Sequence, residues 1–110
     1  MKGPERRKHK RQELACPMAM SDRAGQCVAR GRTANISDGG ALVPIVSGDT
    51  PGEGQVVEVR FSVPRSTPNT FLYEEFTSPA RVIRRKRRSR TRPACIAIQF
   101  HKPLELDLEP

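Results

Sequence analysis

Long helices and stacking surfaces are the two things this sequence is least equipped to build. Ten prolines and eight glycines interrupt its 110 residues so often that no window of 15 residues is free of both. Long amphipathic helices are excluded, and short strands joined by turns are favoured. Aromatic side chains are scarce, with no tryptophan, one tyrosine and four phenylalanines, and most of them fit core positions. A surface that stacks the bases of single-stranded nucleic acid is poorly supplied, which argues against nucleic acid as the partner. The three cysteines, Cys16, Cys27 and Cys95, show no Cys-x-x-Cys spacing, and His9 and His101 lie far apart. Neither a disulfide framework nor a metal site is expected. Each cysteine falls in an apolar, strand-like run, where a free thiol behaves as a small buried hydrophobe. That usage reads as cytoplasmic. No apolar run follows the basic N-terminal segment as a signal peptide would need, and none approaches the roughly 20 residues that cross a bilayer.

What the sequence has in excess is positive charge. The net charge is +8, and thirteen of the twenty Lys and Arg residues fall in two short segments. Met1–Arg11 holds six of them and Arg84–Arg92 holds seven. Such a balance points to an anionic partner. For Arg84–Arg92 three readings stand open. It is a solvated hairpin tip, or a source of positive field beside a ligand, or a contact surface for an acidic protein or RNA.

Between these segments the apolar residues alternate. Leu14, Cys16, Met18 and Met20 share one face of a first strand, with Pro17 marking an edge or a bulge. Residues 26–36 read as a second strand in which Val28, Ala34 and Ile36 share a parity with Arg30 and Arg32. It closes at Asp38-Gly39-Gly40. Ala41–Val46 is a short apolar strand. Val57, Val59, Phe61 and Val63 alternate with Glu58, Arg60 and Ser62 in the cleanest strand pattern of the chain. Residues 71–85 form one long strand or two short ones, and Ala94, Ile96, Ile98 and Phe100 mark the last. The count is six or seven short antiparallel strands, and so many in so short a chain should close into a barrel or a sandwich to hide their edges. Leu104–Glu109 is short and acidic, with room for one helical turn at most.

Two segments carry the chemistry. Arg7 and Arg11 stand at an Arg-x-x-x-Arg spacing within a basic arm, with Arg6 as a third arginine. The guanidinium fork matches phosphate oxygens, stays charged, stacks on bases and pairs with the O6/N7 edge of guanine. The second segment, Asn35-Ile36-Ser37-Asp38-Gly39-Gly40, reads [Asp/Asn]-x-Ser-x-x-Gly. Strand parity sends Asn35 and Ser37 to one face and Ile36 to the core. Asn35 then offers an amide to a base edge, and Ser37 a hydroxyl to base or phosphate. Gly40 allows a sharp turn or the close approach of a ligand. The same residue types also make a plain hairpin turn.

The pair of motifs, about 25 residues apart and with the second at the end of a strand, resembles the PilZ domain family. The resemblance runs from about Glu5 to Lys102. It implies an all-β fold, a small closed six- or seven-stranded antiparallel barrel of PilZ type, with a basic arm over residues 1–12, the barrel over 13–103 and a short acidic tail over 104–110. It further implies a receptor or adaptor for the second messenger cyclic di-GMP. Arg7 and Arg11 would grip its phosphates and guanines, and Asn35, Ser37 and Gly40 would form the opposing wall. The arm would wrap over the ligand and make a surface for a larger target protein. Arg6 is expected to favour a stacked pair of ligand molecules. The alternatives are a PilZ-like scaffold that binds protein without ligand, and a basic barrel that binds RNA or DNA by charge. No histidine, carboxylate or cysteine near either motif forms a nucleophile with its base, so an enzyme is not expected.

Overall fold

In a computed structural model of the chain, residues 11–108 are described. Seven strands run in the order β1 (Pro17–Ser21), β2 (Cys27–Arg32), β3 (Asn35–Ser37), β4 (Gly40–Gly48), β5 (Val56–Ser66), β6 (Phe71–Lys86) and β7 (Cys95–Phe100). All pairings are antiparallel. The spatial order is β2-β1-β5-β6-β7-β4-β3, and a further pairing of β2 with β4 closes six strands into a ring. The extra strand, β3, hangs from the same side of β4 as β2, further along it.

Alternation fills the barrel. Val57, Val59, Phe61 and Val63 of β5 point inward, as do Ile96, Ile98 and Phe100 of β7 and Met18 and Met20 of β1. Phe61 lies at the centre, its ring stacked 5.5 Å from Phe76 and 5.7 Å from Phe100. Each such fully buried side chain contributes about 1.5–3 kcal/mol. Residues 71–86 form one strand rather than two. A bulge at Ile83 leaves both Ile83 and Arg84 facing solvent after the inward Val82.

Several expectations are corrected. The parity read across residues 26–36 fails because the segment is two strands. Ala29, Gly31 and Thr33 face inward and Arg30, Arg32 and Ala34 outward, until the chain kinks and Ile36 takes the core position. The inward position 31 requires glycine, because a Cβ there would overlap the Pro44 carbonyl oxygen and come within 2.7 Å of Val43 Cγ1. Of the cysteines only Cys16 is buried, while Cys27 is exposed and Cys95 is half-buried. Burial pushes the Cys16 thiol up despite its hydrogen-bonding contact with Thr33. Phe71 and Tyr73 sit outside the core, ring edge against ring face, 5.4 Å apart near the β5–β6 turn. The described part of the acidic C-terminal segment forms neither helix nor strand, within the expectation of one helical turn at most, and Leu106 is wholly buried.

Candidate functional site

The kink between β2 and β3 is made by one hydroxyl. Thr33 is buried; its Oγ1 accepts from the Cys16 N–H at 2.7 Å and donates to the Leu14 carbonyl. Its own N–H donates to the Cys16 carbonyl, and the Ala34 N–H to that of Leu42. This anchoring breaks the regular strand and reverses its parity, so that Ile36 enters the core between Asn35 and Ser37.

The edge of β3 is covered by residues leaving the arm. Gln12 and Ile36 exchange two backbone hydrogen bonds, both 2.8 Å. That bridge holds Arg11 beside the second motif, and Arg11 Nη1 donates to Asn35 Oδ1 at 3.3 Å. One residue from each motif therefore meets the other across 24 positions of sequence. Arg6 and Arg7 lie outside the described residues.

Ser37 and Gly40 are register partners across the β3–β4 turn. The Ser37 hydroxyl accepts from the Gly39 N–H at 3.2 Å and donates to the Gly40 carbonyl at 3.4 Å. With 4 % exposure, it fastens the turn from within. The φ of Gly40 is not positive. A Cβ at Gly40 would overlap the Ile98 carbonyl oxygen, so the barrel itself demands glycine at this point.

Asp38, read from sequence only as a turn residue, has a second role. Its backbone carbonyl accepts from the Leu104 N–H at 2.8 Å and its Oδ1 from the Leu106 N–H at 3.1 Å. Arg65 of β5 donates to the carbonyls of Leu106 and Asp107, and its Nε lies 3.0 Å from Glu74 Oε1. The motif turn, the C-terminal segment and the β5–β6 hairpin are thus linked. Sequence offered no signal for this, because four of the five contacts use backbone atoms.

Beside the motif, β3, β4, β7 and β6 present in-register rows: Asn35–Leu42–Ala97–Arg84, and Ser37–Gly40–Gln99–Arg81. Gly40 and Ala97 keep this floor low, and Arg81 and Arg84 rim it. The rest of the second basic run lies elsewhere. Arg85 ties to Thr50 and Glu53, and residues 87–94 form a loop by the far end of β4. From Gly40 to Ser47 is about 23 Å at the usual strand rise of ~3.3 Å per residue. Among the described residues no three His, Cys, Asp or Glu side chains group to hold a metal ion.

The fold recurs in known structures. The structure of Bacillus subtilis inhibitor of motility (MotI/DgrA) matches with a TM-score of 0.73 and 18% identity, over 97% of this chain and 48% of that one. Escherichia coli YcgR in complex with c-di-GMP matches with a TM-score of 0.61 and 16% identity, over 96% of this chain and 40% of that one. The PilZ domain of YcgR with c-di-GMP matches with a TM-score of 0.58 and 14% identity, over 89% of this chain and 79% of that one. The chain thus spans about half or less of the first two proteins. No curated protein matches the sequence. The PilZ domain model matches residues 5–109, nearly the whole length, and with the closed barrel and its extra strand it shows that the chain belongs to the PilZ domain family.

Proposed function

We propose that the chain binds cyclic di-GMP and acts as a receptor without chemistry of its own. The observation that carries this reading is the contact of Arg11 with Asn35, which joins the two motifs at one edge of the barrel. Family membership supports it, as do the fold neighbours whose structures hold c-di-GMP. Arg7 and Arg11 supply charge and a planar fork to phosphate and guanine. Asn35 supplies an amide, and the floor around Gly40 supplies a low surface. The arm over residues 1–12 closes on the ligand and completes a surface for a larger target protein. The reading sets the protein in the cytoplasm, in keeping with its free thiols. A third arginine, Arg6, favours a stacked pair of ligand molecules.

Calorimetric titration with cyclic di-GMP and with GTP tests it. Saturable heat is expected with the first only, weakened about tenfold or more by Arg7→Ala and by Arg11→Ala, in line with charged hydrogen bonds. A folded protein that gives no heat with cyclic di-GMP would sink the receptor reading in favour of a scaffold that binds protein alone. An Arg6→Leu variant that keeps the parent's stoichiometry would remove the special role of Arg6.

A further inference from the structure

The basic loop after β6 borders a recess that the receptor reading leaves unused. Strand β7 pairs with β4 only from Gly40 to Pro44. Beyond that point β4 continues to Gly48 with β2 on one side alone. The loop stands off from this bare edge, closed by a hydrogen bond from the Ser89 N–H to the Arg92 carbonyl at 3.0 Å and fastened by one from the Ile45 N–H to the Ala94 carbonyl at 2.8 Å. Between loop and edge lies a recess of about 480 Å³, with Val46 and Ser47 on one wall and Arg88, Arg90 and Arg92 on the other.

Three features of this recess describe its occupant. First, its charge is uncompensated: no carboxylate lines it, and among the described residues none of the three arginines has an ion-pair partner. Second, one wall is a strand with a neighbour on one side only, the geometry that accepts a further extended chain through main-chain hydrogen bonds. Third, Val46, the unmatched residue of a β2–β4 bulge, is 76% exposed there and offers an apolar contact at the mouth. No aromatic ring lines the recess on which a base could stack.

We propose that the recess takes an extended acidic segment of a partner protein, laid along β4 at Val46 to Gly48 with its carboxylates against Arg88, Arg90 and Arg92. Arginine suits the role because its fork holds carboxylates in a bidentate manner. Arg30 and Arg32 of β2 border a shallower groove that meets the recess at Val46 and Ser47, and they extend the positive field along the segment's path. The site is independent of the cyclic di-GMP reading, since it lies at the other end of β4 from Gly40.

The test uses the full chain and a fluorescein-labelled peptide of alternating Glu and Val, with anisotropy read at low salt. Saturable binding is expected, weakened about tenfold in the Arg88→Ala, Arg90→Ala, Arg92→Ala triple variant, as three exposed charge pairs would give. The corresponding triple Glu variant should lose this peptide and gain one of alternating Lys and Val. Circular dichroism melting confirms that each variant is folded. Absent binding, or a change under about twofold in the triple Ala variant, overturns the proposal; the second result assigns the peptide to the N-terminal cations instead. Tighter binding of oligothymidylate than of the acidic peptide, lost in the same variant, overturns it in favour of nucleic acid.

Discussion

Strand β4 begins and ends in contrasting surroundings. At Gly40 it is flanked by β3 and β7, and the turn before it is fastened by Ser37 and holds Leu104 and Leu106 through Asp38. At Gly48 it has β2 alone, an exposed valine two residues back, and a loop of arginines without carboxylate partners. On the proposed readings both ends meet anions, yet one is braced and the other is open. A braced site meets a small ligand without having to be ordered first. An open edge with long charged side chains adapts to a chain of varied sequence, and relies on charge more than on fit.

Four variants would break or sharpen that contrast, each measured by urea unfolding. The largest effect is expected at the braced end, where Leu106→Ala removes a wholly buried side chain and should cost about 2–5 kcal/mol. Gly40→Ala should cost about 1–3 kcal/mol, since the new methyl group meets the Ile98 carbonyl. A Gly40→Ala protein of unchanged stability that fails to bind cyclic di-GMP would show instead that this glycine serves the ligand. Asp38→Ala leaves the Leu106 N–H without its carboxylate and should cost about 1 kcal/mol. The smallest effect belongs to the open end. The Arg88→Ala, Arg90→Ala, Arg92→Ala variant should stay within about 0.5 kcal/mol of the parent, because these side chains hold nothing in place. A loss above about 2 kcal/mol there would mean that the loop braces the barrel and that the two ends are alike.

Much of the barrel is legible in sequence because β5 and β7 alternate cleanly between core and solvent. The facing of Asn35 and Ser37 opposite to Ile36 follows from the same parity. The break between β2 and β3 is not legible. Arg30 and Arg32 face solvent, but the inward partners that would have announced this are Ala29 and Gly31, too small to stand out as a hydrophobic face. The kink rests on the hydrogen bonds of Thr33, and threonine is an ordinary strand residue. Leu104 and Leu106 alternate like a strand, yet they pair with no sheet; their backbone N–H groups are held by the carbonyl and the carboxylate of Asp38, and no hydrophobic pattern encodes those bonds. Of the candidate site, the meeting of Arg11 with Asn35 and the in-register floor from β3 to β6 are visible only once strand order is known.

The bond between Asp38 and Leu106 spans 68 residues. Ribosomes add roughly 5–20 residues per second, so the turn that carries the motif is translated seconds before its brace. A nascent chain bearing both motifs but not yet β7 has no closed ring, and the far side of β4 is still bare along its whole length. On the proposed reading, cyclic di-GMP present during synthesis would meet no finished site until β7 and the segment behind it had emerged. Folding of this domain is therefore expected to be late and abrupt on the ribosome, and a stalled chain ending shortly before Cys95 should be open to proteases where the completed one is closed.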